Sequence, residues 1–577
     1  MPVQRLEKSS IVTTSAHRVV GPVDVYDTTL RDGAQQEGMN LSVADKLAIA
    51  PLLDELGVSY IEGGWPGAVP KDTEFFGRAA KELSLQNAVL CAFGATRKAG
   101  ITASSDPQVR GLLDSEAEVI TLVAKSDIRH VERALRTTGA ENLAMIADTV
   151  SFLVSHGRRV FLDAEHFFDA YQYDSVYALS ALQTAAEAGA EVLILCDTNG
   201  GQLPSSVYEI TSAVAAHLGI DPDSGALADP TRYPVASLRL GMHAHNDTGC
   251  AVANSIAAVQ GGARHVQGTV NGYGERTGNA ELLTVLANLE LKLGAQRSDG
   301  HGRTVVGSDA PRLEDITRIS HAISEITNIA PFGRQPYVGN SAFAHKAGLH
   351  ASAIKVDPDL YQHIDPKVVG NDMRMLVSEM AGRASIELKG KELGFDLAGQ
   401  SELLTRVTEQ IKSMEAEGYT FDAADASFEL ILHEQVHGSR PSYFDTESWR
   451  VAVRTHRGDV SQADAEATVK IHAGGRRLLT VGEGNGPVNA LDYALRSALG
   501  SVYPEIERFE LTDFKVRILD AQHGTGAVTR VLIETRDTET DAVWRTVGVG
   551  PNIIEGSWEA IVDSINYGLL HAGIAPR

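Results

Sequence analysis

The stretch Glu191-Val192-Leu193-Ile194-Leu195-Cys196-Asp197 puts four aliphatic side chains in a row, where a half-wet strand would alternate them with polar ones. Such a run fits a strand covered on both faces, as in a parallel sheet flanked by helices. Seven more short segments share its texture, at 24–29, 60–64, 88–95, 118–124, 159–166, 238–245 and 265–271. Each is followed by a stretch long enough for a helix, rich in Ala, Leu and Glu. Eight strand–helix units in one continuous segment predict an α/β fold, a (β/α)8 TIM barrel, in preference to an open doubly wound sheet. No Gly-x-Gly-x-x-Gly opens the first unit, which argues against a dinucleotide fold.

Composition narrows the class. The chain has 577 residues and is 43% hydrophobic, which suits several domains with buried cores. A formal net charge of −24 argues against a nucleic-acid partner, which would need a basic face. An anionic substrate must then be attracted locally, by a metal or an arginine. Cys91, Cys196 and Cys250 stand far apart in apolar or small-residue surroundings, and read as core thiols of a protein in the reducing cytoplasm. No apolar stretch reaches the length of a membrane span, and residues 1–20 lack a signal-peptide core, so no membrane partner is expected.

Segment 238–245 ends in His243-Ala244-His245. Side chains alternate along a strand, so the two imidazoles share a face and can hold one metal ion. A polar strand face, or a buried hydrogen-bonded pair, would leave the same pattern. Asp27-Thr28-Thr29-Leu30-Arg31-Asp32-Gly33 follows the first segment, and Gly274-Glu275-Arg276-Thr277-Gly278-Asn279 follows the eighth. With them, Asp32, His243, His245 and Asn279 offer one carboxylate, two imidazoles and an amide oxygen, a set suited to a divalent metal. These residues and Arg31 all fall at carboxyl ends of predicted strands, where barrel enzymes keep their chemistry. Strands one, seven and eight become neighbours when a barrel closes.

Downstream the texture changes. A helix is predicted over 312–328, a loop-rich stretch over 331–366 and a helix over 401–417; His345, His350 and His363 read by themselves as surface residues. Residues 426–577 are strand-rich and internally repeated. Thr480-Val481-Gly482-Glu483-Gly484 leads into a helix around 489–499, and Thr546-Val547-Gly548-Val549-Gly550 into one around 554–569, with strands such as 467–472 and 528–534 before them. Two strand-strand-helix units predict a small α+β domain. No Gly-Lys-Ser/Thr follows the Gly-rich segments, so they read as structural or regulatory turns, not as phosphate loops. The expected organisation is a tail over 1–20, a catalytic barrel over 21–295, a helical linker over 296–425 and a regulatory domain over 426–577.

Three motifs carry a family resemblance: Asp27-Thr28-Thr29-Leu30-Arg31-Asp32-Gly33-Ala34-Gln35, His243-Ala244-His245-Asn246-Asp247 and Gly272-Tyr273-Gly274-Glu275-Arg276-Thr277-Gly278-Asn279-Ala280. In this order they resemble the acyl-CoA-condensing synthases of the DRE-TIM metallolyase superfamily. The C-terminal repeat resembles the regulatory domain of the 2-isopropylmalate synthase group, so the resemblance spans nearly the whole chain. Within the group, Glu62-Gly63-Gly64-Trp65-Pro66-Gly67 with Pro70-Lys71-Asp72 is similar to the citramalate-forming members. The isopropylmalate-forming members more usually show an aromatic-Pro-Ser turn there. The chain departs from the pattern at Ala68-Val69, where a polar pair is expected.

The resemblance implies a Claisen-type condensation of acetyl-CoA with a 2-oxo acid. Pyruvate would give citramalate and CoA, on the route to isoleucine; 2-oxoisovalerate would lead toward leucine. It implies a divalent ion (Mg, Mn or Zn) on Asp32, His243, His245 and Asn279, chelated by the oxo acid and acting as a Lewis acid. Arg31 would stabilise charge on the former ketone oxygen. Gln35 and Thr198 would bind substrate, Thr198 through the oxo-acid carboxylate, and Glu165 would lie near the metal and the thioester. His350 as base and Tyr361 would complete the site, contributed by the partner of a homodimer. An effector, isoleucine or leucine, is expected on the regulatory domain. Without the family, Arg31 has an alternative reading as a rim salt bridge, Glu165 as a strand-end charge and Thr198 as a helix N-cap or turn. Three other functions fit parts of the pattern. A hydroxymethylglutaryl-CoA-type lyase would carry a cysteine in the loop after strand eight, and this chain has none there. A non-haem iron oxygenase also uses two histidines and a carboxylate, usually on a jelly roll with His-x-Asp/Glu spacing. A catalytically dead amino-acid sensor would need only the C-terminal domain.

Overall fold

The computed structural model describes residue 19 and residues 21–301, 303–304, 313–378, 382–455, 463–519 and 526–577. The expected N-terminal tail, apart from Val19, lies outside the described residues, as does Arg312 at the start of a predicted helix.

Eight parallel strands close a barrel: β1 (Pro22–Asp27), β2 (Tyr60–Gly64), β3 (Val89–Ala95), β4 (Val119–Lys125), β5 (Arg159–Glu165), β6 (Val192–Asp197), β7 (Arg239–Ala244) and β8 (His265–Gly268). Each pairs with the next, and both β2 and β8 pair with β1. Residues of β6 are buried throughout, as its unbroken apolar run predicts. Tyr26, Tyr60, Cys91, Val119, Phe161, Ile194 and their neighbours fill the interior. Helices return the chain between strands. Ser42 and Asp45 form a capping box that starts Val43–Leu56, and Gly57 ends it in the left-handed conformation.

Four of the eight predicted segments, 24–29, 159–166, 238–245 and 265–271, run past the observed strands at their carboxyl ends. Asp27 accepts from Thr29 N at 2.9 Å and Thr29 Oγ1 at 2.8 Å, so local side-chain bonds replace the ladder and bend the chain into the loop that carries Arg31 and Asp32.

The chain forms two compact units. One holds the barrel, runs to Phe343 and takes in Asp365–Asp372; the other holds Ala344–Ile364 and Met373–Arg577. In the first, a 3-10 turn Leu313–Asp315 precedes the helix Ile316–Thr327, which Asn328 ends in the left-handed region. In the second, the stretch expected to be loop contains a helix, Gly348–Val356. Its N-cap is Ala347, with no side-chain cap, so no start signal marked it; Ala351 and Ile354 pack with Met375 instead.

Helices Arg383–Glu392, Ser401–Glu417 and Asp425–His437 contribute to one core with Val547. The C-terminal sheets are β9 (Asp445–Thr455), β10 (Ala463–Ala473) and β11 (Arg476–Gly484), then β12 (Phe509–Ile518), β13 (Thr529–Asp537) and β14 (Val543–Gly550), both antiparallel. Helix Pro487–Leu499 follows the first and Ile553–His571 the second. Each repeat thus has one strand more than expected. Thr480 Oγ1 donates to Ala494 O at 2.7 Å, and Thr546 Oγ1 to Ala560 O at 2.7 Å, the same bond in both halves. The Gly-rich segments are strand ends, not turns. A Cβ on Gly482 would stand 2.5 Å from Ala494 N, and one on Gly548 2.0 Å from Gly556 O, so glycine lets each helix lie directly on its strand.

Candidate active site

Asp32, beyond the end of β1, meets the end of β7. Its Oδ2 stands 3.3 Å from His243 Nε2 and 3.7 Å from His245 Nε2, and the two Nε2 atoms are 3.3 Å apart. All three residues are buried, and one ligand atom from each lies within 4.8 Å of the others. The loop after β8 supplies Asn279 by turning back along β7: Ala280 N donates to Ala244 O at 2.9 Å, and His245 and Asn279 form an antiparallel bridge. Gly274, at φ +151°, permits the return, since a Cβ there would lie 2.4 Å from Asn279 Nδ2. That nitrogen donates to Tyr273 O at 3.1 Å. Asn279 Oδ1 is left buried without a protein partner. An unsatisfied buried acceptor costs about 1–3 kcal/mol, and a cation beside it would remove that cost. The donor set therefore fits a divalent ion.

Electrostatics agree. Burial opposes the Asp32 charge, but Arg31, His243 and His245 outweigh it and hold the carboxyl far below the usual range. Burial, reinforced by His243, pushes His245 down to about 4, which keeps its imidazole neutral and able to ligate. Burial would also lower His243, but Asp32 reverses the sign and raises it. A metal would displace that proton.

Arg31 is clamped beside the cluster. Its Nε donates to Glu62 Oε2 at 2.9 Å, its Nη1 lies 3.3 Å from Asp32 Oδ1, and its guanidinium sits 3.8 Å over the Phe93 ring. Glu62 is fully buried and also accepts from Tyr26 OH at 3.0 Å and Thr28 Oγ1 at 2.5 Å. Trp65 packs edge-on to Phe93 at 5.4 Å, and Asp72 accepts from Trp65 N at 2.8 Å and Lys46 Nζ at 2.5 Å. The segment from Glu62 to Asp72 is thus the scaffold behind Arg31.

Other predicted residues are placed differently. Gln35 closes the 3-10 turn Gly33–Gln35 and is exposed. Thr198 Oγ1 accepts from His166 N at 2.9 Å, tying the ends of β5 and β6, while Arg276 Nη2 donates to Thr198 O at 2.8 Å. The Glu165 carboxylate is paired with Lys125, its register partner on β4, and is not gathered into the metal cluster. His350 and Tyr361 belong to the second unit, where their rings lie 4.2 Å apart.

Sequence reasoning missed the supporting groups Glu62, Phe93, Lys125, Asp163 and Gln267. For Glu62, Asp163 and Gln267 a signal was present: each is a polar residue in a strand buried along most of its length.

Comparison with known proteins follows the same lines. Residues 22–304 match the HMGL-like family, 337–419 the homocitrate synthase post-HMGL domain-like family and 422–569 the LeuA allosteric (dimerisation) domain. An (R)-citramalate synthase of Streptomyces coelicolor is 59% identical, over 96% of this chain and 97% of its own. This chain belongs to the (R)-citramalate synthase family. Another member, from Synechocystis, is 47% identical over 94% of this chain and 96% of its own. A 2-isopropylmalate synthase of Synechococcus matches at only 29%, over 95% and 94%. The separation between these values puts the chain with the citramalate branch, and the parallel barrel argues against a jelly-roll oxygenase.

Proposed function

We propose that this chain condenses acetyl-CoA with pyruvate to give (R)-citramalate and CoA. The observation that carries this is the 59% identity, along nearly the whole of both chains, to a synthase of that name. In the reaction the acetyl methyl loses a proton, the resulting carbanion adds to the ketone carbon, and water cleaves the thioester. A divalent ion held by Asp32, His243, His245 and Asn279 would polarise the ketone as a Lewis acid. Arg31, fixed between Glu62 and Phe93, donates hydrogen bonds to the oxygen on which charge develops. Its planar guanidinium is already oriented, so little reorganisation accompanies the reaction. His350 takes the methyl proton and Tyr361 orients its ring, this pair being contributed by the partner of the homodimer. Thr198 binds the oxo-acid carboxylate, its hydroxyl hydrogen left for substrate by the bond it accepts from His166 N. Gln35 and Glu165 serve the thioester side, with Lys125 holding Glu165 in place.

The protein acts in the cytoplasm as a homodimer. Among the described residues no helix is long and apolar enough to cross a membrane. The match to an allosteric (dimerisation) domain supports dimerisation. Val453, Leu479 and Val481, more than half exposed on the β9–β11 sheet, offer apolar surface for it. Isoleucine is the inhibitor this reading favours, with leucine the runner-up.

The test is CoA release from acetyl-CoA with pyruvate, 2-oxobutyrate, 2-oxoisovalerate and 2-oxoglutarate in turn. Pyruvate should give the highest kcat/KM, by about 10- to 200-fold over an analogue one methylene larger. Equal or better turnover of 2-oxoisovalerate would overturn the assignment. A chelator should stop the reaction and a divalent ion restore it. His350→Ala should lower kcat by about 10²–10⁴-fold.

A further inference from the structure

His243 on β7 lies beside Gln267 on β8 in the strand register. Its Nδ1 is 2.7 Å from Gln267 Oε1, and Gln267 Nε2 donates to Asp163 Oδ1 at 3.1 Å. All three side chains are buried. An amide can turn either end toward a neighbour, and one facing a histidine can therefore accept a proton from it or donate one. Asp163, from β5 on another part of the wall, removes that freedom. Burial pushes the Asp163 carboxyl up to about 7; in its ionised form its oxygen only accepts, so above that pH the amide NH2 faces it and Oε1 faces His243. Nδ1 then has to carry the hydrogen, which leaves the lone pair on Nε2, the nitrogen beside Asp32 and His245.

We propose that Asp163 and Gln267 are positioning residues that fix the tautomer and ring orientation of His243, so that its Nε2 is offered to the metal. The inference rests on the metal reading of the cluster and adds to it a polarity that runs Asp163, Gln267, His243. Outer partners of ligating histidines commonly act by such hydrogen bonds.

The experiment measures divalent-ion affinity of the purified full chain, stripped with chelator and titrated with manganese, together with the melting temperature of each metal-free variant. Asp163→Asn keeps shape but lets the amide face either way, and Gln267→Met removes the acceptor. Each should weaken manganese binding by about 10- to 100-fold, the usual range for losing an outer partner. The double variant Asp163→Asn/Gln267→Glu rebuilds the polarity, because the new carboxylate accepts from both neighbours. It should bind within about threefold of the parent, a recovery that lost packing would not produce. A parent that binds no manganese overturns the metal reading and this inference together. A parent that binds while Asp163→Asn binds equally well, or a double variant no tighter than the single ones with unchanged melting, overturns this inference alone.

Discussion

At the amino ends of the barrel strands, buried and half-buried charges come in opposite pairs; at the carboxyl ends, groups that would ligate the same cation crowd together. Asp24 lies 2.8 Å from Arg239 Nη1, and Glu191 lies 2.8 Å from Arg159 Nε and 2.7 Å from Arg239 Nη2. Arg159 Nη2 also donates to Tyr60 OH at 2.8 Å. His265 there sits among the rings of Tyr26, Tyr60 and Phe161, and burial lowers its pKa, so it stays neutral. The other end also carries buried histidines and a carboxylate, but there two imidazole nitrogens face each other at 3.3 Å and share a space within 4.8 Å with an Asp32 oxygen. Burial alone therefore does not mark a site. The useful sign is whether the buried groups complete one another or converge on something else.

The largest expected effect tests the carboxyl end. Asp32→Ala and His243→Ala should each lower CoA release by at least about 10³-fold, the upper range for losing one charge-stabilising group, and weaken manganese binding. Melting temperatures without metal should stay near the parent's. Full turnover in either variant would remove the contrast between the two ends.

The amino end should answer in stability. Arg239→Met leaves Asp24 and part of Glu191 uncompensated, and breaking a buried pair on one side typically costs about 3–5 kcal/mol. Denaturant unfolding reads this, while kcat per folded molecule should hardly move. A smaller effect is expected at Arg31. Arg31→Lys keeps the charge but loses the Nε bond to Glu62 and the stacking on Phe93, so kcat should fall about 10²-fold with little change in manganese affinity.

The smallest effect is a pH dependence. Burial would raise the Asp24 pKa, but Arg239 and His265 reverse this and lower it. A depressed carboxyl contributes stability that is fully present above its unfolded pKa of about 3.9 and is lost as pH falls through the folded value. Asp24→Asn should therefore be less stable than the parent at pH 7, and the gap should narrow below about pH 4. A gap that stays constant down to acid unfolding would show that the Asp24 charge contributes nothing.

Much of the candidate site was legible because its signals are local. His243-Ala244-His245 states its shared face through strand alternation, and the turn after β1 announces Asp32 beside Arg31. The strand rhythm shows which ends meet. Glu165 and Thr198 were harder, since each is identified by what it bonds. Lys125 comes from the neighbouring strand and His166 N from the end of β5, partners that only strand order and register bring close. The helix Gly348–Val356 was hidden for a related reason: it is held by packing against Met375 and not by a cap.

By itself, then, the sequence determined the barrel, the grouping of Asp32 with His243 and His245, and the repeated C-terminal architecture, because periodicity and short motifs are properties of neighbouring residues. Tertiary structure decided how the reactive groups are held. Glu62 and Phe93 clamp Arg31, Gln267 and Asp163 orient His243, and the returning loop sets Asn279 beside His245. Hydrogen bonds and ring contacts of this kind act over a few ångströms between segments far apart in the chain. They exist only once the barrel has closed.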